Sequence, residues 1–175
     1  FVLEEDSSIS IDSSSLTSLI AEYELVKTMR ASILTLGPML AKYKQAKISL
    51  PGGCAIGTRP VNLHLSALEK MGATIEVKNG YIYASTKELV GAEINFDLIS
   101  VTATENIVMA ATLAKGTTTI NNAAQEPEIE ALCHFLEKMG ADIQGIGTEE
   151  ITIYGQKKLN ADIEYSVIPD RIEAG

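Results

Sequence analysis

Leu68-Glu-Lys-Met-Gly-Ala73 occurs twice in this chain, and its second copy is Leu136-Glu-Lys-Met-Gly-Ala141. In both copies an amphipathic helix pattern ends at the glycine, and an apolar strand, a turn and a second strand follow. Such a repeat indicates supersecondary units that pack side by side, because one unit cannot bury the apolar face of its own sheet. The repeated hexapeptide therefore decides the fold class.

The elements around the two copies can be bounded from the pattern. The predicted helices of the copies are residues 62–71, closed by Gly72, and the helix from Pro127 to Gly140. The predicted hairpin strands are residues 74–77, 81–85, 142–144 and 151–154. Asn79-Gly80 is typical of a two-residue hairpin turn. Cys133 lies on the apolar stripe of the second helix, which predicts a core position.

Each copy is preceded by a further helix pattern. One covers residues 24–43, with a kink expected near Gly37-Pro38. The other covers residues 104–115, with Thr104 as the predicted N-cap and Gly116 closing it. Further strands are predicted over residues 47–50, 92–96, 117–121 and 161–164, and residues 8–12 are typical of the last hairpin strand of a preceding unit.

These elements predict an α/β domain of repeated βαβαββ-type units with pseudo-three-fold symmetry, an inverse α/β barrel-like arrangement. The chain would then begin within one unit and contain two complete ones. The predicted division is residues 1–168 as one domain, made of 1–23 as the tail of an incomplete first unit, 24–100 as the second unit and 101–168 as the third.

Composition narrows the class of function. The chain has 175 residues, is 46% hydrophobic, and can bury one substantial core. Its formal charge of −9 argues against nucleic acid or an anionic membrane as partner. No apolar stretch is long enough to span a bilayer, and two cysteines without metal spacing favour a reducing cytoplasm with no metal or cofactor. We therefore expect a cytoplasmic α/β protein.

The candidate reactive residues lie in the segment Pro51-Gly-Gly-Cys-Ala-Ile-Gly-Thr-Arg-Pro60. Its glycines allow backbone amides to approach an anion, and Arg59 adds a bidentate phosphate or carboxylate donor. Pro60 suits the first position of a helix, so a positive helix end would lie beside the thiol of Cys54. A reactive site is one interpretation. A glycine- and proline-rich surface segment with an incidental cysteine is the other, and the residues alone leave both open.

The segment and the repeats together resemble one family, the UDP-N-acetylglucosamine enolpyruvyl transferases (1-carboxyvinyltransferases) of the EPSP synthase-like superfamily. The matches run in family order from about residue 24 to the end. They are Met29-Arg-Ala-Ser32, residues 51–60, Val61-Asn-Leu-His64, Ser100-Val101, Asn122-Ala-Ala124 with Glu126-Pro-Glu128, and Pro169-Asp-Arg-Ile-Glu173.

The resemblance implies an enzyme of two domains, with helices inside, sheets outside and the active site in the cleft between them. It implies transfer of enolpyruvate from phosphoenolpyruvate to the 3-hydroxyl of UDP-N-acetylglucosamine with release of phosphate, the first committed step of peptidoglycan synthesis. Residues 169–175 would start the crossing into a second domain of the same chain, which supplies the general base aspartate. We therefore expect the 175 residues alone to be inactive.

Site residues follow from the same resemblance. Cys54 would be the general acid that protonates the methylene carbon of phosphoenolpyruvate, and the atom that fosfomycin alkylates. Arg59 would hold the phosphate and lower the pKa of the thiol, with a surface ion pair as the alternative. The expected substrate-binding residues are Arg30, Arg59, Pro60, Val61, Asn62, Leu63, Ser100 and Val101, and the expected supporting residues are His64, Glu126, Glu128, Asp170 and Arg171.

Some of these roles have structural alternatives, and three positions depart from the family pattern. Arg30 could be an exposed helical arginine, and carboxylates at 126 and 128 would stabilise a helix start by themselves. Asn62 stands where the family often has Asp, Leu98 where some members have Lys, and Thr102 where Gly is common. Each departure would weaken nucleotide affinity.

Two other functions remain open from the sequence. The sister enzyme 5-enolpyruvylshikimate-3-phosphate synthase shares the fold and chemistry, but the Cys-x-x-x-x-Arg-Pro stretch of residues 54–60 favours the nucleotide-sugar enzyme. A non-catalytic nucleotide-sugar-binding or scaffold domain would make Cys54 incidental. A nucleic-acid end-processing enzyme is disfavoured by the charge of −9.

Overall fold

The computed structural model describes residues 2–3, 9–10, 16, 18–27, 29–50 and 61–173, with only the backbone at residues 2–3, 9–10 and Arg30. Strands β1 (Val2–Leu3) and β2 (Ile9–Ser10) pair antiparallel, and β2 falls within the strand predicted over residues 8–12. The predictions for Cys54, Arg59 and Pro60 lie outside the described residues.

Two complete units follow along the chain. The first contains β3 (Ile20–Ala21), α1 (Tyr23–Val26), a 3₁₀ helix (Arg30–Thr35), α2 (Leu36–Tyr43), β4 (Gln45–Ser49), α3 (Asn62–Lys70), β5 (Thr74–Lys78) and β6 (Tyr81–Ser85). The second contains β7 (Glu93–Asn95), α4 (Val101–Ala111), β8 (Thr117–Asn121), α5 (Pro127–Lys138), β9 (Asp142–Gln144) and β10 (Glu150–Tyr154).

The two units have the same sheet topology. The first sheet has the order β3-β4-β6-β5 and the second the order β7-β8-β10-β9. In each, the first pair is parallel and the other two pairs are antiparallel. The repeated βαβαββ unit and the mixed α/β class are therefore confirmed. Strand β7 lies in the second sheet, although the predicted division at residue 100 assigns it to the preceding unit.

One continuous core joins the two units. Helix α2 packs on the first sheet, α4 packs on the second, and the two helices pack on each other. Gly37 in α2 marks their contact, because a Cβ at this position would lie 2.4 Å from the backbone oxygen of Asn106. Helices α2 and α4 thus lie between the two sheets. Among the described residues, no helix has the length and apolarity to cross a bilayer.

The single kinked helix predicted over residues 24–43 is wrong. It is divided into α1, the 3₁₀ helix and α2, because Met29 has extended backbone angles (φ −137°, ψ 102°) that no helix accommodates. Pro38 lies in the first turn of α2, a position that tolerates proline.

The predicted start of α4 at Thr104 is also wrong. Ser100 is the N-cap, and its Oγ accepts a hydrogen bond from the Ala103 N–H at 3.3 Å. The Thr104 side chain instead bridges two segments. Its Oγ1 donates to the Ser100 carbonyl at 2.9 Å and accepts from the Ala124 N–H at 3.1 Å. The start of α4 is thereby fixed to the residues that precede α5.

The strand predicted over residues 161–164 does not form. Residues 159–173, which we call the strap, run back along α5 instead of joining a sheet edge. The Asn160 N–H donates to the Met139 carbonyl at 2.7 Å, and the Tyr165 hydroxyl donates to the Ala131 carbonyl at 2.8 Å. The Tyr165 ring packs edge-on against Phe135. The apolar and hydrogen-bonding partners of the strap are thus on the helix.

The elements of the repeat itself are confirmed. Gly72 and Gly140 end their helices with φ of +91° and +95°, and Asn79 and Gly80 both have positive φ in the β5–β6 hairpin. Cys133 is fully buried, as its place on the apolar stripe predicts.

Candidate functional site

The described substrate-binding candidates lie at the starts of three helical segments. Arg30 begins the 3₁₀ helix, and Val61, Asn62 and Leu63 begin α3 directly after residues 51–60. Ser100 and Val101 begin α4. The start of α3 lies beside the start of α4, because His64 of α3 contacts Thr102 of α4.

One buried side chain, Asn106 in α4, joins all three segments. Its Oδ1 accepts from the Gly37 N–H at 2.7 Å, where α2 continues the 3₁₀ helix. Its Nδ2 donates to the Ile33 carbonyl of the 3₁₀ helix at 3.1 Å and to His64 Nδ1 of α3 at 2.9 Å. Every polar atom of the amide therefore has a partner, as a buried polar group requires.

This pattern also fixes the protonation of the His64 ring. The Gly37 N–H needs an acceptor, so Asn106 must direct its oxygen to Gly37 and its NH₂ group to His64. Nδ1 of His64 then accepts a hydrogen bond, and the neutral ring carries its proton on Nε2. Nε2 donates to the Thr102 hydroxyl at 3.4 Å. Thr102, one of the three predicted departures from the family pattern, thus contacts His64.

A second cluster lies where α5 begins. Arg171 in the strap donates from Nε and Nη2 to both oxygens of Glu128, at 3.1 and 2.9 Å. This bidentate pair holds the end of the strap against the first turn of α5. The other supporting carboxylate, Glu126, is the N-cap of the helix, and its Oε2 is buried without a hydrogen-bond partner in the described part of the chain. Asp170 accepts from the Ile172 N–H at 2.8 Å, which shapes the turn that presents Arg171.

The charged groups of this cluster shift one another's pKa values. The hydrogen bonds from Arg171 hold the pKa of Glu128 below its usual value, and Glu128 in turn raises the pKa of Arg171. Glu105, on α4, is partly buried beside them. Burial raises its pKa to about 7, and the Glu128 charge contributes to the rise. Glu105 is therefore the described carboxyl group of this cluster that titrates near neutral pH.

The thiol of Cys133 does not suit nucleophilic or acid chemistry. Burial, together with the nearby charges of Glu137 and Glu130, raises its pKa to about 12. A thiol in that state is inert at neutral pH. The prediction that Cys133 is a core residue agrees with this, and Cys54 stays the candidate reactive thiol.

The structure brings together more residues than the sequence predicted. Asn106 and Glu105 were missed, and both lie in the stretch Ala103-Thr-Glu-Asn-Ile-Val108. Most other residues of α4 are apolar, so two adjacent polar side chains in an otherwise buried helix were the available signal. What could not be inferred is which of them faces the core.

Comparisons with known proteins agree with this architecture. The enolpyruvyl transferase NikO from Streptomyces tendae is similar over 87% of this chain and 36% of its own, with a TM-score of 0.73 and 22% identity. EPSP synthase from Acinetobacter baumannii is similar over 74% of this chain and 29% of its own, with a TM-score of 0.59 and 23% identity. At these identities the two structures show a shared fold.

Sequence relatives are much nearer. A UDP-N-acetylglucosamine 1-carboxyvinyltransferase of Ruthia magnifica subsp. Calyptogena magnifica is 70% identical over all 175 residues, and one of Hydrogenovibrio crunogenus is 58% identical over 174. The chain spans 42% and 41% of these two relatives. The family model for EPSP synthase (3-phosphoshikimate 1-carboxyvinyltransferase) matches residues 2–175. With nearly every residue matched and the fold shared, this chain belongs to the EPSP synthase family.

Proposed function

We propose that the full-length protein transfers enolpyruvate from phosphoenolpyruvate to the 3-hydroxyl of UDP-N-acetylglucosamine and releases phosphate. The observation that carries this proposal is the 70% identity, over the whole chain, to a relative named UDP-N-acetylglucosamine 1-carboxyvinyltransferase. The proposal includes the place of this reaction at the start of peptidoglycan synthesis, a cytoplasmic location, and fosfomycin as an inhibitor.

In this proposal Cys54 is the general acid. It gives its proton to the methylene carbon of phosphoenolpyruvate while the sugar hydroxyl adds to the neighbouring carbon and loses its proton to the general base of the second domain. Phosphate then leaves that carbon as a proton leaves the new methyl group, which restores the double bond. An acid of this kind works best when its pKa lies near the operating pH. Arg59, five residues later, supplies a positive charge that lowers the pKa of a thiol and binds phosphate.

The nucleotide sugar would bind along the starts of the helical segments. Two helix starts, those of α3 and α4, lie side by side, and unpaired amides at such ends favour phosphate. We assign Arg30, Pro60, Val61, Asn62, Leu63, Ser100 and Val101 to this substrate. Asn62, Leu98 and Thr102 remain the positions where affinity is expected to fall below that of the family.

In this proposal the supporting residues hold the parts of the domain in place around the site. His64 holds the start of α3 against α4, and Glu128 holds Arg171 in the strap. Residues 1–168 form one domain, and Pro169 onward leads to a second domain of the same chain that completes the cleft. Asp170, Arg171 and Glu126 then lie at the border of the site.

The decisive experiment measures phosphate release from phosphoenolpyruvate by the full-length protein with UDP-N-acetylglucosamine, with shikimate 3-phosphate or with no acceptor. We expect release with the nucleotide sugar alone. Cys54→Ala should lower the rate by about 10²- to 10⁴-fold, the range for loss of an acid–base group. Cys133→Ala is the matched control, because this second cysteine is buried and inert, and it should retain the rate.

Each other result has a defined meaning. Release that depends on shikimate 3-phosphate would assign the protein to the sister reaction that gives the family its name. Phosphate release that does not depend on either acceptor, or no phosphate release in any of the three reactions, would refute transferase activity and favour a binding or scaffold role. An unchanged rate in Cys54→Ala would refute the thiol as the acid while leaving the reaction in place.

A further inference from the structure

We propose that Asn106 is a positioning residue, which sets the three substrate-facing segments of the site relative to one another. The inference rests on the proposed function, because that function makes Arg30, the start of α3 and the start of α4 parts of one site. The hydrogen bonds of the Asn106 side chain within the described part of the chain go to Gly37, Ile33 and His64. Asn106 acts through the backbone of the 3₁₀ helix and α2 and through His64.

The Asn106 amide has a single orientation that is compatible with its partners. Its oxygen accepts from Gly37, and its two N–H groups donate to Ile33 and His64. Rotation by 180° would place N–H against N–H at Gly37 and oxygen against oxygen at Ile33. A fully paired buried network of this kind specifies one arrangement of the elements that it joins.

The junction around Asn106 has no free space. A Cβ on Gly37 would lie 2.4 Å from both the backbone oxygen and Oδ1 of Asn106. The exposed fraction of Asn106, His64 and Ile33 is at most 1%. A longer Gln has no room here, an Asp cannot donate to the Ile33 carbonyl, and a Leu removes the acceptor of the Gly37 N–H and the donors to the Ile33 carbonyl and His64 Nδ1.

Only a few residues separate the hydrogen-bond partners of Asn106 from the candidate substrate contacts in each segment. Ile33 and Arg30 lie in the same 3₁₀ helix, and His64 follows Leu63 directly in the first turn of α3. Asn106 lies in the same helix as Ser100 and Val101, and Thr102 also contacts the His64 ring. A shift at this junction therefore moves the candidate contacts relative to one another while each keeps its own local structure.

The test compares Asn106→Leu with Ile151→Ala in the full-length protein. Ile151 is fully buried in β10 and takes no part in the hydrogen bonds of Asn106, so its truncation lowers stability while those hydrogen bonds stay in place. Below the unfolding temperature of both variants, Asn106→Leu should lower kcat/KM for the nucleotide sugar by about 10- to 100-fold, because small misplacements carry that cost. Ile151→Ala should keep the kcat/KM of the unaltered protein.

A conservative pair at His64 tests the same link from the other side. In His64→Asn the side-chain oxygen takes the place of Nδ1 and can accept from Asn106, whereas His64→Leu has no acceptor. We expect His64→Asn to recover most of the kcat/KM that His64→Leu loses. Equal losses in both variants would overturn the proposal, because the hydrogen bond to Asn106 would then be irrelevant to turnover.

A second readout does not depend on activity. Amide hydrogen exchange should rise in Asn106→Leu within all three of the peptides that cover residues 30–36, 61–66 and 100–105, and in none of them in Ile151→Ala. A rise in one peptide only, or equal loss of kcat/KM in the two variants, would overturn the proposal. If the unaltered protein transfers no enolpyruvate, the proposed function fails, and hydrogen exchange still decides whether Asn106 holds the segments together.

Discussion

At the scale of single residues, Glu105 links the protonation of the site to the stability of the fold. Burial and the nearby Glu128 charge raise its pKa from 4.5 to about 7. Between these two pH values the folded protein keeps a proton that the unfolded chain has lost. The folded state therefore binds more protons in this window, and its free energy of unfolding falls as the pH rises from 4.5 to about 7.

We predict that Glu105→Gln removes this part of the pH dependence. The variant should unfold at a higher temperature than the unaltered protein at pH 8, and the difference should vanish toward pH 4.5. Thermal unfolding between these pH values measures it. Glu130→Gln, an exposed carboxylate of α5, is the control. Equal effects of the two substitutions at pH 8 would show that loss of negative charge in general, and not burial of Glu105, is responsible.

Gly37 is the second residue with a clear prediction. The missing side chain allows α2 to approach α4, so Gly37→Ala forces the two helices apart. We expect a loss of about 1–3 kcal/mol in the free energy of unfolding, the usual cost of overpacking. Denaturant unfolding measures it, with Gly80→Ala as a control for added bulk in open space at a strained hairpin position. No change in Gly37→Ala would mean that the helices are free to separate.

At the scale of elements, the strap is held to α5 by contacts that differ in strength. Tyr165 is packed and hydrogen-bonded, whereas the Arg171–Glu128 pair is about half exposed and screened by solvent. We predict that Glu128→Ala leaves the melting temperature nearly unchanged but raises amide exchange in residues 169–173. Glu130→Ala on the same helix should leave both the melting temperature and the amide exchange of these residues unchanged. A large loss of melting temperature in Glu128→Ala would show that the pair stabilises the whole fold.

The elements also show how far the sequence could be interpreted. The helix ends at Gly72 and Gly140 and the Asn79-Gly80 hairpin were predictable, because each depends on a backbone conformation that few residues adopt. The break at Met29 was not, because no glycine or proline marks it, and the strap was not, because its partners lie on α5. Likewise, motif resemblance named His64 as a supporting residue. Only the structure identifies Asn106, which contacts it from 42 residues away.

At the scale of the whole molecule, the chain holds two complete units and spans about two fifths of its relatives. The resemblance assigns the general base and further arginines to a second domain. We predict that these 175 residues alone release no phosphate above background under conditions where the full-length protein turns over. A phosphate assay on both proteins at equal concentration checks this. Steady release by the short chain would contradict a site shared between two domains.

The internal repeat indicates that the two units have a common origin. Both units keep the same hexapeptide and the same sheet order, as the products of a tandem duplication do. Leu68 follows the end of β4 by 19 positions, but Leu136 follows the end of β8 by only 15. The four extra residues fall in the stretch that contains Cys54 and Arg59. Duplication of one unit accounts for the shared scaffold, and the longer connection of one copy is the stretch that holds the candidate thiol and Arg59.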